Sequence, residues 1–178
     1  MPTSTADLWE TIAADAGQES ALWNAALRPR EEQERAAVFS PLGEPRYALG
    51  IETIYEGYLL HYGRTRLFAP EDQDAALLLG DYLYAHGLVR IEEVGSVEAV
   101  SDLAELIALC AYLRAEQIAG DGPVWAATAV ALGRGELEDG RSSLRLDNDP
   151  KALERLARTG AGDAAVDEAL ATHRGRLG

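Results

Sequence analysis

Two apolar helical runs carry the residues of this chain that could do chemistry. The first, Ile51-Glu52-Thr53-Ile54-Tyr55-Glu56-Gly57-Tyr58-Leu59-Leu60-His61-Tyr62, holds two carboxylates four residues apart, a spacing that puts both on one helix face. The second, Ala75-Ala76-Leu77-Leu78-Leu79-Gly80-Asp81-Tyr82-Leu83-Tyr84-Ala85-His86, sets one carboxylate and one imidazole among apolar neighbours, with Arg64 and Arg66 in the connection. Glu52, Glu56 and Asp81 converging from two helices would offer oxygen ligands to a divalent cation such as Mg²⁺. The competing reading is structural. A carboxylate packed against apolar side chains must be paired, because burying it alone is costly, and Arg64, Arg66, Tyr82 or His86 could supply the partner. Tyr55, Tyr58, Tyr62, Tyr82 and Tyr84 are candidates to line a cavity or a protein interface, or simply to pack a core.

Other chemistries lack their residues. A di-iron carboxylate bundle wants Glu-x-x-His on two helices, whereas Glu56 and His61, like Asp81 and His86, are five apart. Three histidines in all, His61, His86 and His173, make a histidine-rich zinc site improbable. His86 is expected at a helix C-terminus and His173 on the surface. The lone Cys110, within an apolar run, reads as a buried core thiol and permits no internal disulfide. There is no Gly-x-Ser-x-Gly elbow and no phosphate-loop pattern. No catalytic residue and no metal ligand is assigned on these grounds.

The elements that must position these residues read as helices from end to end. Ser4, Thr5 or Asp7 can cap a first helix reaching residue 27, with Leu8, Ile12, Ala16, Leu22 and Ala26 inward, Trp9 and Trp23 as anchors, and Gly17 as an interruption. Residues 1–6 are expected to be flexible. The charged stretch 28–37 reads as a short exposed helix or linker, and residues 40–45, with Pro41 and Pro45, as a turn. Helices follow over about 46–61 and from Pro70 to His86, stopping near Gly87, with 89–95 as a connector. Ser96 should cap a long helix whose stretch 103–113 is apolar nearly all round, the mark of a central bundle helix. Gly120-Asp121-Gly122-Pro123 is a break before a helix over 124–132. Residues 138–143 read as an exposed loop, Asp149 as a cap with Pro150 in the first turn, and 164–174 as the last helix. The expectation is an all-α, single-domain bundle of seven to nine orthogonal or antiparallel helices spanning 1–178.

Several of these segments resemble the front half of a polyprenyl diphosphate synthase. Tyr55-Glu56-Gly57-Tyr58 falls where the first aspartate-rich motif of that family would lie, and Arg64-Thr65-Arg66 resembles its basic turn. Gly80-Asp81-Tyr82-Leu83 is similar to a later helix motif, and Arg134-Gly135-Glu136-Leu137 to the Gly-Glu-Leu segment beyond it. The resemblance covers roughly residues 47–137 and implies an isoprenoid-synthase-like bundle. It also implies what is missing. Ionising an allylic diphosphate needs clustered carboxylates holding Mg²⁺ against the leaving group, and only Glu56, with Glu52 one turn away, stands at the first site. Asp147-Asn148-Asp149-Pro150 is the nearest run to a second, and its aspartates are two apart, which diverge on a helix. The expected function is therefore a non-catalytic bundle without a cofactor, a structural or regulatory partner (of a prenyltransferase, for instance) or a binder of an isoprenoid or other apolar ligand. The alternatives are a divergent Mg²⁺-dependent prenyl diphosphate enzyme and an unrelated helical protein.

Composition bounds the partners. A net charge of −14 on 178 residues repels a phosphate backbone, so nucleic acid is not an expected partner. No apolar run reaches the length of a membrane span, the N-terminus lacks a signal-peptide pattern, and a cytoplasmic location is expected. The apolar 103–113 stretch and its small residues also suggest a homodimer, or a heteromer with a related helical protein.

Overall fold

A computed structural model describes residues 5–177, with side chains from residue 8 onward. Among these, nine α-helices form one all-α domain: α1 (Thr5–Glu19), α2 (Ala21–Ala25), α3 (Ala48–Tyr62), α4 (Gln73–Val94), α5 (Val97–Ala115), α6 (Asp121–Ala131), α7 (Glu138–Asp147), α8 (Lys151–Ala161) and α9 (Asp163–Leu177). The only β feature among them is an isolated bridge between Leu27 and Phe68. The capping roles expected of Ser4, Thr5 and Asp7 lie outside the described side chains, and the flexibility expected of residues 1–6 lies outside the described residues up to Thr5, where α1 begins.

The hairpin of α3 and α4 is the middle of the molecule. Every residue from Gly50 to Leu60 is buried, and the two helices touch through glycines. A Cβ on Gly57 would lie 2.9 Å from the Gly80 carbonyl oxygen, and one on Gly87 would lie 3.1 Å from that of Gly50. Gly50 thus faces Gly87 and Gly57 faces Gly80, which makes the pair antiparallel and brings backbone against backbone. This contact explains why α4 runs through Gly87 to Val94 instead of stopping there: the glycine is spent on close approach, not on a C-cap. Pro70 precedes α4, whose cap is Asp72, accepting from the Ala75 amide at 2.8 Å.

Two apolar clusters flank the hairpin. The larger joins α3 to Phe39, α5, α6, α8 and α9; the smaller joins Leu8, Trp9, Ile12 and Ala16 of α1 to Leu60, Leu67, Phe68, Leu79 and Leu83. The helix surrounded on all sides after α3 is α6, buried continuously from Val124 to its end. The stretch 103–113 in α5 is instead one-sided: Leu103, Leu106, Leu109, Cys110 and Leu113 point inward while Ala104, Ala108, Ala111 and Tyr112 are exposed. Alanine is apolar enough to disguise a solvent face. No helix among the described residues is long and apolar enough to cross a membrane.

Two further expectations are corrected. The α1–α2 break falls at Ser20, whose Oγ accepts from the Leu22 amide at 3.1 Å, not at Gly17, and Leu22 is 52% exposed. Residues 138–143 form the first turns of α7, with Gly140 packed on Leu153 and Arg141 buried; the polar composition hid one apolar edge. The stretch 28–37 takes the linker form of the two expected of it, extended apart from a single turn at Arg30–Glu32. Ser96 caps α5 as expected, accepting from the Ala99 amide at 3.3 Å, and Gly120 starts α6 at a φ of +140° that suits only glycine.

Candidate functional site

Glu52 and Glu56 project from one face of α3 and meet Arg66, all three side chains fully buried. The connection after α3 turns back at Gly63, so that Arg66 returns beside the helix it has just left. Its Nη1 donates to Glu52 Oε2 at 2.5 Å and its Nε to Glu56 Oε2 at 2.9 Å. The second oxygen of each carboxylate is taken by backbone. Glu52 Oε1 accepts from the Val38 and Ser40 amides at 3.2 and 3.1 Å, and Glu56 Oε1 from the Arg66 and Leu67 amides at 2.9 and 2.8 Å. Arg66 also donates to the carbonyls of Ala36 and Glu52, both at 3.1 Å.

The guanidinium lies 4.7 Å from the Trp9 ring and 5.0 Å from the Tyr55 ring, so it bridges the two apolar clusters. Burial works against its charge, but Glu52 and Glu56 prevail and hold it above the usual arginine range. The arrangement ties three segments, 36–40, α3 and 66–67, at one point.

The other candidate residues do not join this group. Arg64 is exposed and pairs with Glu34, which Arg176 also contacts at 2.9 Å. Asp81 is 72% exposed on the outside of α4, where its Oδ1 lies 3.1 Å from Nε2 of His61, not beside Arg64, Arg66, Tyr82 or His86. A buried Glu56 and an outward Asp81 cannot share an ion. His86 sits in the interior of α4, not at its C-terminus; it stacks on Tyr82 and lies 3.3 Å from Asp15. Among the described residues no three His, Cys, Asp or Glu side chains are grouped as metal ligands would be.

The tyrosines divide. Tyr55 and Tyr58 pack in the core against Trp125, Tyr62 and Tyr84 cluster around His61, and Tyr82 contacts Trp23.

A second polar network was not expected from the sequence. Asp121, at the start of α6, accepts hydrogen bonds from Tyr58 and from Arg114 Nη2, the latter at 2.8 Å. His173 of α9, buried and not on the surface, places Nε2 3.4 Å from Asp121 Oδ2, too poorly aligned for a hydrogen bond, and Nδ1 2.9 Å from Tyr55 Oη. Burial opposes the charge of Asp121, yet His173, Tyr58 and Arg114 hold its carboxyl far below the usual carboxylate range. Burial pushes the Tyr55 and Tyr58 hydroxyls far above theirs, and the buried Cys110 thiol likewise. Groups so shifted are poor nucleophiles and bases at neutral pH; the network locks α9 onto α3 and α6. The signal that could have found it was Asp121 itself, an acidic residue in a helical first turn next to a glycine break.

Comparison with known proteins gives no match to a family model, to a curated protein or to a solved structure.

A concave feature lies beside the buried triad. A cleft of about 710 Å³ opens between Leu8 of α1, the segment 37–50 and the last turns of α4, where Arg90 and Glu93 reach it. Its volume falls in the range of small-molecule sites, roughly 300–1,000 Å³.

Proposed function

We propose that this chain is a non-catalytic helical bundle that works by binding, with the cleft between α1, α3 and α4 taking a small, mainly apolar ligand. The observation that carries the reading is the saturation of Glu52 and Glu56. All four of their oxygens accept hydrogen bonds from Arg66 or from backbone amides, so neither carboxylate keeps a free face for Mg²⁺. The resemblance to polyprenyl diphosphate synthases enters as a proposal of ancestry, in which α3 keeps the position of the first metal site and Arg66 has taken the place of the metal's charge. It is supported by the motif pair: the helix bearing Gly80-Asp81-Tyr82-Leu83 packs antiparallel on the helix bearing Glu56.

The test is turnover. Incubation with Mg²⁺, geranyl diphosphate and isopentenyl diphosphate is expected to release no pyrophosphate. Release that Glu56→Gln abolishes would overturn the reading.

A further inference from the structure

The lining of the cleft is apolar over Leu8, Ala37, Pro41, Ala48, Leu49 and Val94, with Ser40 as its one hydroxyl. Ser40 is only 6% exposed, and while its amide donates to Glu52 Oε1 at 3.1 Å, its Oγ has no hydrogen-bond partner among the described residues. Glu52 holds the Ser40 backbone through its amide and the residue lines the cleft, so its hydroxyl is a donor and acceptor available to an oxygen bound there.

The charges at the cleft decide what kind of molecule carries that oxygen. Arg46 is paired with Glu44 at 2.9 Å. Arg90 is buried and committed to Asp15 and to Thr53 Oγ1, the latter at 2.8 Å. Glu93 is exposed and has no cationic partner among the described residues. An anionic head would find no free cation and would meet Glu93 and a chain of net charge −14. A cationic head would be drawn to Glu93, but that carboxylate is exposed and hydrated, and to reach Ser40 the cation would have to give up its own water within an apolar lining. We infer that the cleft binds a neutral apolar molecule bearing a single hydroxyl or carbonyl oxygen, which hydrogen-bonds Ser40 Oγ.

The inference deepens the binding function proposed above and rests on it. The apolar part supplies affinity through buried area, and the oxygen supplies Ser40 Oγ with a hydrogen-bond partner.

The experiment uses the full chain and three probes of equal length: 1-octanol, octanoate and octylammonium, followed by amide chemical shifts of Leu49, Gly50 and Val94. Octanol is expected to bind at least about tenfold more tightly than either ion. Ser40→Ala, which keeps the amide bond to Glu52, should weaken octanol by roughly 3- to 10-fold, one neutral hydrogen bond. Ala48→Trp, which fills the cleft, should abolish binding and serves where Ser40→Ala is poorly folded. Equal or tighter binding of an ion, or octanol binding indifferent to Ser40→Ala, overturns the ligand class and leaves a binding cleft standing. No shift with any probe overturns both.

Discussion

Removing the guanidinium of Arg66 tests the buried triad directly. Arg66→Met keeps most of the apolar stem between Trp9 and Tyr55 but deletes the donors to Glu52 Oε2, Glu56 Oε2 and the carbonyls of Ala36 and Glu52. Two buried carboxylates then keep only their backbone partners. Breaking a buried ion pair from one side costs about 3–5 kcal/mol, a large part of the roughly 5–15 kcal/mol that holds a domain together. In a chain of this length that corresponds to a fall in Tm of roughly 6–20 °C. Urea unfolding followed by circular dichroism at pH 7.5 measures the deficit. A loss below about 1 kcal/mol would refute the account of a charge-compensated staple.

Four further outcomes follow from the packing and the polar networks. Gly87→Leu forces atoms into Ile54 and the Gly50 carbonyl, 2.4 and 3.1 Å from a Cβ there, and should cost about 1–3 kcal/mol or more in urea unfolding; Gly175→Ala, with nothing within 4 Å, should gain a few tenths to about 1 kcal/mol. The depressed Asp121 carboxyl contributes stability that is fully present above its unfolded value, near 3.9, and is lost as pH falls towards the folded one. The stability gap between wild type and Asp121→Asn should thus be constant above about pH 5 and shrink below about pH 4. Cys110, buried with its thiol pushed up, should react with Ellman's reagent only at the rate of unfolding.

The sequence allowed some of this to be read and concealed the rest for identifiable reasons. Helix content and most starts were legible because the signals are local: Ser96 before an apolar run, Gly120 before Asp121, the prolines at 41 and 45. Glu52, Glu56 and Arg66 stand out in the sequence as charged groups beside apolar runs, but which carboxylate meets which cation is not legible there. The pairing depends on a chain reversal at Gly63 that no periodicity reveals.

His173 looked exposed because it lies five residues from the chain end; its burial comes from α9 docking on Phe39, Tyr55 and Tyr58, a contact between positions more than a hundred residues apart. The reading of 103–113 as central failed because exposed and buried alanines look alike in a sequence. Gly87 failed as a stop because a glycine used for helix crossing and one used for a C-cap are the same residue.

The central claim is that Glu52 and Glu56 are saturated by Arg66 and by backbone amides and hold no divalent ion. It is tested most directly by urea unfolding in about 10 mM MgCl₂ against NaCl of equal ionic strength. An ion site occupied at 100 times its Kd would add about 2.7 kcal/mol to the folded state. The account predicts equal midpoints in the two salts for wild type and for Glu56→Gln alike; a Mg²⁺-specific gain of about 1 kcal/mol or more that disappears in Glu56→Gln would contradict it.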